Sequence, residues 1–235
     1  MIHKIRAKAP LSRVSGIDTW FGLDFGMNLC RGCQHHSIYC DSRSLCYGND
    51  QFDEDVLVKS NAIDVLRDEL RRKRKRGILG TGSMSDPYMP IEERYRLTEG
   101  ALEAIAEYGF GVHVITKSTL VLRDVALLQR ISRNSTAAVS LSITTIDDEL
   151  AHRIEPGAPP PLERFLALRA LTDAGIEAAS PSCPSFRSSR TRPATSVRLS
   201  NARNNKECGV CAKHGIRTSA RRLLAPSADE PGLFA

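Results

Sequence analysis

Regular alternation of strand-like and helix-like segments is the feature that most constrains how this chain can fold. Between about residues 17 and 175, short β-prone apolar runs are separated by segments with apolar residues at helical spacing. Chains of this kind form parallel sheets with right-handed crossovers. The pattern therefore predicts an α/β fold. Four successive units favour a partial TIM-type (β/α) barrel, truncated after about four βα units, over a small doubly wound sheet.

The predicted strands are each followed by polar residues. Strands are predicted at 20–28, 78–81, 111–116 and 137–143, and helices at 61–74, 98–108, 122–132 and 161–174. A cysteine-rich loop follows the first strand, and GTGSMSDPYMP, Lys117-Ser118 and Thr144-Thr145 follow the other three. In βα folds the chemistry gathers at the carboxyl ends of the strands. We therefore expect these four segments to form one active-site face.

Residues from 179 onward differ in character from the rest. Helical and strand periodicity disappears there, and Ser, Arg, Pro and Thr dominate, which is typical of a chain of low order. The net charge of +6 comes entirely from this region, because residues 1–178 are nearly neutral. We therefore divide the chain into a partial-barrel domain at 1–178 and an aberrant basic tail at 179–235. The tail's Cys208-x-x-Cys211 is half of a zinc knuckle, and chance explains it better.

A one-nucleotide shift of the reading frame offers an origin for the tail. With permitted codon choices, the residues up to Gly209 can be read in the shifted frame as a buried strand, a Pro-bounded loop and an amphipathic helix. Such a unit would continue the barrel. The sequence thus predicts that the tail is the product of a frameshift.

Seven cysteines are present, and an odd number without a secretory signal argues against a disulfide framework. Four of them, Cys30, Cys33, Cys40 and Cys46, are clustered, which in a reducing compartment indicates a metal site. No apolar run approaches the ~20 residues of a membrane helix. We therefore expect a cytoplasmic protein with a metal site and no membrane segment.

Several separate motifs in order carry a resemblance to a known family. They are WFGLDFGMNL, RGCQH, IYCDSRS, GTGSMSDPYMPIE, GVHVITKS, SITTIDDEL and EPGAPPPLERF. Over about residues 5–176 the chain resembles radical SAM proteins related to spore photoproduct lyase, often described as DNA-repair photolyase-like. The resemblance implies a 4Fe–4S cluster, S-adenosylmethionine, and an electron donor such as flavodoxin or ferredoxin. Nucleic acid is implied as a partner by family analogy only.

The resemblance also places the cluster ligands. The family's C-x3-C-x2-C loop holds three irons of the cluster and leaves the fourth iron open for S-adenosylmethionine, and its cysteines would fall at 33, 37 and 40. Cys33 and Cys40 are present, but position 37 is Ser, whose hydroxyl is a poor iron ligand. Cys30 stands where relatives carry Tyr and is the candidate for the third ligand, with Cys46 as a second candidate.

Other roles follow from the resemblance residue by residue. The residues implied to contact S-adenosylmethionine are Tyr39, Ser83, Asp86, Lys117, Ser142 and Thr144. Ser83 and Asp86 would receive its amino group, Lys117 its carboxylate, and the fourth strand end its ribose or carboxylate. The alternative for each is a turn or capping role. His35, His36 and His113 have no motif support as ligands and are interpreted as loop or packing residues.

The predicted function is reductive cleavage of S-adenosylmethionine to a 5′-deoxyadenosyl radical, with an unknown substrate and with impairment by Ser37 and the tail. Two alternatives stay open at this point. One is a non-catalytic remnant of a frameshifted gene. The other is a zinc-binding or nucleic-acid-binding module that uses the cysteines and the basic tail.

Overall fold

The computed structural model describes residues 1–16, 18, 21–44, 52 and 55–180. The strands are β1 (Ile2–Ile5), β2 (Leu11–Arg13), β3 (Phe25–Met27), β4 (Cys30–Arg31), β5 (Val56–Lys59), β6 (Ile78–Thr81), β7 (Gly111–Thr116), β8 (Ala137–Leu141) and β9 (Glu177–Ala179). The α-helices are α1 (Ala62–Arg72), α2 (Glu92–Tyr95), α3 (Leu97–Tyr108), α4 (Val125–Ser132), α5 (Asp148–Ile154) and α6 (Pro161–Asp173). Short 3-10 helices lie at Asp41–Arg43 and Thr119–Asp124. Residues 181–235, which make up nearly all of the predicted tail, lie outside the described residues. The predicted frameshift origin of the tail therefore also falls outside them, as does Cys46.

Two compact units divide the described residues. One contains Met1–Ile38 and the residues from 42 onward, and the three residues Tyr39–Asp41 belong to the other. Tyr39 and Cys40 are half-buried, and Asp41 is exposed.

A six-stranded sheet forms the wall of the partial barrel. Its strand order is β2-β3-β6-β7-β8-β9. The strands β3, β6, β7, β8 and β9 run parallel to one another, and β2 is antiparallel to β3. A separate three-stranded sheet has the order β1-β5-β4. The predicted α/β fold with a partial barrel is thereby confirmed.

Burial on both faces explains why the central strands could be recognised. Val112 and Val114 of β7 and Val139 of β8 belong to one buried apolar cluster with Leu102 and Ile105 of α3. Strands covered by helices in this way are apolar along most of their length. β6 and β7 accordingly have the predicted bounds of 78–81 and 111–116.

The structure differs from the predictions at both ends of the sheet. The first barrel strand is shorter than the predicted 20–28, since β3 spans only Phe25–Met27. At the other end, α6 begins at Pro161 and is followed by Gly175, whose φ of 77° is a left-handed conformation typical of a helix end. β9 then pairs in parallel with β8. Regular structure therefore continues through Ala179, one residue past the predicted domain boundary.

No helix among the described residues is both long and apolar enough to cross a membrane.

Candidate functional site

Asp86 joins the loops that follow β6 and β7. The Thr116 hydroxyl donates to its Oδ1 at 2.7 Å, and the Lys117 backbone N–H donates to its Oδ2 at 2.7 Å. The Tyr88 N–H also donates to Oδ1, at 2.9 Å, and so closes the turn at Asp86-Pro87. The side chain is 8% exposed. The Asp86 carboxylate therefore holds two strand ends together from a buried position.

His35 joins the cysteine loop to the same carboxylate. Its Nε2 lies 3.2 Å from Asp86 Oδ2, and its Nδ1 lies 2.8 Å from the carbonyl oxygen of Gly157. Burial alone would lower the pKa of His35, but the charge of Asp86, the contact with it and the Gly157 carbonyl raise it. Burial alone would raise the pKa of Asp86, but His35, Thr116 and Lys117 lower it to about 2. The two side chains therefore form a buried ion pair.

Cys33 lies beside this ion pair. Its thiol is half-buried, and burial followed by the charge of Asp86 raises its pKa to about 11. The backbone N–H groups of Asp86 and His35 and the charge of Lys117 act in the opposite direction. Groups from three strand-end loops thus act on the pKa of this thiol. Metal binding would displace the thiol proton, because a thiolate is the form that binds iron.

Close backbone packing shapes the beginning of the cysteine loop. Gly32 has a φ of 83°, and a Cβ on it would lie 2.1 Å from the carbonyl oxygen of Asp55. The Cys33 N–H donates to the Phe52 carbonyl oxygen at 3.3 Å. Only glycine permits this approach, so the RGC sequence has a steric reason.

Ser37 stands at the middle position of the expected cluster loop. It is 6% exposed, and its carbonyl oxygen accepts a hydrogen bond from Arg43 Nη1 at 3.0 Å. The preceding residue, His36, has a φ of 52°, a left-handed conformation that costs a non-glycine residue about 1–2 kcal/mol. The loop therefore reaches position 37 through a strained backbone and presents a hydroxyl there.

Cys30, the candidate for the third ligand, is more deeply buried than Cys33. It lies on β4 and is 8% exposed, and its pKa is raised to about 12 by burial and then by the charge of Glu92, against an opposing effect of Lys59. Its carbonyl oxygen accepts a hydrogen bond from the Ser85 hydroxyl at 3.1 Å. This hydrogen bond places β4 beside the loop that follows β6, the loop that also contains Asp86.

The end of β8 is held by a buried ion pair between Glu155, the residue after α5, and Arg164 of α6. Arg164 Nη1 lies 2.5 Å from Glu155 Oε2, and both side chains are 1% exposed. Arg164 Nη1 also donates to the Ser142 carbonyl oxygen at 2.8 Å, and the Thr144 hydroxyl donates to Glu155 Oε1 at 2.6 Å. The Ser142 N–H donates to the Thr116 carbonyl oxygen at 2.8 Å. The fourth strand end is thereby joined to the third.

The predicted cofactor-binding residues differ in their exposure and in the hydrogen bonds that their side chains form within the protein. Ser83 is exposed in the loop after β6, and Lys117 and Ser142 are half-buried at the ends of β7 and β8. The carboxylate of Asp86 and the hydroxyl of Thr144 have partners within the protein. Their contacts with S-adenosylmethionine stay predictions, as does the role of Tyr39.

The loop positions implied by the resemblance do not by themselves complete a three-thiolate cluster site. A 4Fe–4S cluster with one open iron needs three thiolates, and these positions contain Cys33, Ser37 and Cys40. In the part of the chain that the structure describes, no three His, Cys, Asp or Glu side chains are grouped as a metal site. The third ligand, for which Cys30 and Cys46 are the candidates, stays a prediction.

Three residues of this face could not be assigned from the sequence. They are His35, Glu155 and Arg164. His35 was interpreted as a loop or packing residue, whereas it pairs with Asp86 and reaches a carbonyl 122 residues away. Glu155 and Arg164 lie in the EPG and LERF motifs that carry the family resemblance, and their place in these motifs is the signal in the sequence that could have marked them.

The fold and the strand-end face together define a class of protein. It is an α/β half-barrel in which a cysteine loop lies beside polar residues from the next two strand ends. The profile of the Radical SAM superfamily matches residues 27–183. The chain belongs to this superfamily.

Similar proteins agree with this assignment. A Mycobacterium tuberculosis protein described as uncharacterized is 33% identical over 182 residues, which cover 74% of this chain and 53% of that protein. An uncharacterized Methanocaldococcus jannaschii protein is 33% identical over 178 residues, covering 75% of this chain and 64% of that protein. The chain therefore spans about half to two thirds of the length of these relatives.

Solved structures show the same fold. Spore photoproduct lyase complexed with a dinucleoside spore photoproduct has a TM-score of 0.54 and 18% identity, covering 80% of this chain and 52% of the lyase. A variant of that lyase with bound AdoMet and the dinucleoside also has a TM-score of 0.54, with 16% identity, over 76% of this chain and 49% of the lyase. The chain has the fold of about half of this enzyme.

Proposed function

We propose that this chain is the S-adenosylmethionine-binding half-barrel of a radical SAM enzyme whose iron–sulfur site is incomplete at Ser37. The observation that carries the proposal is the superfamily match over residues 27–183, combined with the convergence of Cys33, Asp86 and Lys117 at the strand ends. When bound, the 4Fe–4S cluster of this class supplies an electron that cleaves S-adenosylmethionine to a 5′-deoxyadenosyl radical. In this chain the missing thiolate impairs that reaction.

Electrostatics at the strand ends support binding of the cofactor's amino acid part. The charge of Lys117 lowers the pKa of both Cys33 and His35, and we assign its ammonium to the carboxylate of S-adenosylmethionine. A charge-assisted hydrogen bond between an ammonium and a carboxylate is about twice as strong as a neutral one. The exposed Ser83 hydroxyl, in the loop after β6, is the proposed contact for the amino group, because the carboxylate of Asp86 has four partners already.

The wider partners follow from the family and from its solved relatives. We propose a flavodoxin or ferredoxin as electron donor and the cytoplasm as the location. The spore photoproduct lyase structures contain a dinucleoside lesion. By that analogy, a nucleic acid is the first substrate class to test.

Cleavage of S-adenosylmethionine by a thiolate-restored variant tests the proposal. The Ser37→Cys chain, reconstituted anaerobically with iron and sulfide and reduced, is expected to form 5′-deoxyadenosine, whereas the unmodified chain forms little. Adding Cys33→Ala to Ser37→Cys is the matched control and is expected to abolish the product. No 5′-deoxyadenosine from an iron-loaded Ser37→Cys chain would contradict the proposed activity, and one zinc ion per chain in place of iron would favour a zinc-binding module.

A further inference from the structure

We propose that His35 is a positioning residue that holds the Cys33 sulfur in place against the strand-end face. The inference rests on the proposed function only in taking Cys33 as a cluster ligand. His35 lies two residues after Cys33 and is 2% exposed. Its position is defined by contacts on both sides of the ring.

The cysteine loop is linked through His35 to two different loops. Nε2 contacts Asp86 Oδ2 at 3.2 Å, and Nδ1 contacts the Gly157 carbonyl oxygen at 2.8 Å. The contact with Asp86 is an ion pair, and the contact with Gly157 is a hydrogen bond to a backbone carbonyl. The backbone adds a third contact, because the Gly157 N–H donates to the His35 carbonyl oxygen at 3.1 Å. A side chain with a single donor group cannot reach both oxygens.

Through Nε2, His35 joins the cysteine loop to the residues at the ends of β6 and β7. The Asp86 carboxylate accepts hydrogen bonds from the Thr116 hydroxyl at the end of β7 and from the Lys117 N–H. By pairing with that carboxylate, His35 connects the loop that contains Cys33 to the ends of β6 and β7. The contact therefore determines how Cys33 lies relative to the β6 and β7 ends.

Through Nδ1, His35 contacts the turn after α5, which has further contacts of its own. The Ile38 N–H donates to the carbonyl oxygen of Ile154, the residue before Glu155, at 3.0 Å. Glu155 is fixed by its buried ion pair with Arg164. Gly157 touches the cysteine loop so closely that a Cβ on it would lie 2.0 Å from the Gln34 carbonyl oxygen. Backbone contact of this kind leaves the loop little freedom while the turn stays in place.

Alkylation of individual cysteines by iodoacetamide tests this inference on the full chain, without iron or cofactor. The rate at Cys33 is followed by peptide mass spectrometry at one fixed pH for the unmodified chain, His35→Gln and Gly157→Ala. His35→Gln removes the buried ion pair with Asp86, and Gly157→Ala places a Cβ against the Gln34 carbonyl oxygen. Both variants are expected to loosen the cysteine loop and to raise the rate at Cys33 by about fivefold or more. Cys30, buried on β4, is the internal reference and is expected to keep its rate. His152→Gln, at an exposed histidine of α5, is the control variant.

The ratio of the two cysteine rates separates positioning from general loosening. If Cys30 and Cys33 accelerate together, His35 only stabilises the domain and the inference is wrong. An unchanged Cys33 rate in His35→Gln also overturns it, and Gly157→Ala provides the same comparison should His35→Gln fail to fold. Failure to bind iron or to cleave S-adenosylmethionine would refute the proposed function but would leave these rates, and the inference, intact.

Discussion

Removing the Arg164 guanidinium is expected to be among the most damaging single changes at the functional face. Arg164 is 1% exposed and forms an ion pair with Glu155, which is equally buried. Its guanidinium also donates to the carbonyl oxygens of Ser142 and Pro159, at 2.8 Å and 2.7 Å. Arg164→Met keeps most of the aliphatic stem and removes every one of these contacts.

The size of the effect follows from the burial of the partner. Without Arg164, the buried Glu155 carboxylate loses this ion pair, while its contact with the Thr144 hydroxyl remains. Removing one member of a buried ion pair costs about 3–5 kcal/mol, because the remaining charge is left without compensation. The end of β8 also loses its anchor at Ser142. We therefore expect the free energy of unfolding to fall by about 3–5 kcal/mol.

Urea unfolding followed by far-ultraviolet circular dichroism measures this loss, and α6 provides its own control. Arg169 lies on the exposed side of the same helix, with its Nε 3.6 Å from Asp173 Oδ2 and with side-chain exposures of 80% and 71%. Arg169→Met is expected to cost less than about 1 kcal/mol, as exposed pairs do. If Arg164→Met costs no more than Arg169→Met, the reasoning about the buried pair is refuted.

Three further changes have expected outcomes. Burial lowers the pKa of His113 from its ordinary 6.5 to about 4, against an opposing effect of Asp18, so the unfolded chain takes up this proton first as the pH falls. The free energy of unfolding therefore falls between pH 6.5 and 4. In urea titrations, the decrease in the free energy of unfolding from pH 7 to pH 5 should be about 2 kcal/mol smaller for His113→Gln than for the unmodified chain. His36→Gly should raise the free energy of unfolding by about 1 kcal/mol, because glycine adopts the positive φ without strain, and a lower melting temperature would contradict this. Lys117→Ala should weaken S-adenosylmethionine binding to the cluster-loaded Ser37→Cys chain by roughly tenfold or more in calorimetry, while Lys75→Ala, at an exposed lysine, should not.

Buried, locally regular elements were the predictable part of the fold. The strands at 78–81 and 111–116 matched their predicted bounds, and α3 and α6 matched within one residue, because their apolar residues recur at strand or helix spacing. The sheet of β1, β4 and β5 was missed. Its strands have two to four residues each, and their pairing joins segments more than 25 residues apart, which no local pattern reports.

At the functional face, the placement of segments was predictable and the contacts were not. Polar residues at consecutive strand ends predicted that the cysteine loop, Asp86 and Lys117 would lie together, since parallel strands end at one edge. The partners of His35 could not be foreseen, because Asp86 and Gly157 lie on other loops and one of them contributes only a backbone oxygen. Ser37 was visible from the sequence as a departure from the family, and the structure adds the strained backbone that precedes it.

Iron and acid-labile sulfide analysis after anaerobic reconstitution tests the central claim, that Ser37 leaves the cluster site one thiolate short. Three proteins are compared: the unmodified chain, Ser37→Cys and Cys30→Ala. The account predicts low iron in the first, about four irons per chain in the second, and no change from the first to the third. Full iron content in the unmodified chain, abolished by Cys30→Ala, would show that Cys30 supplies the third thiolate and would contradict the account.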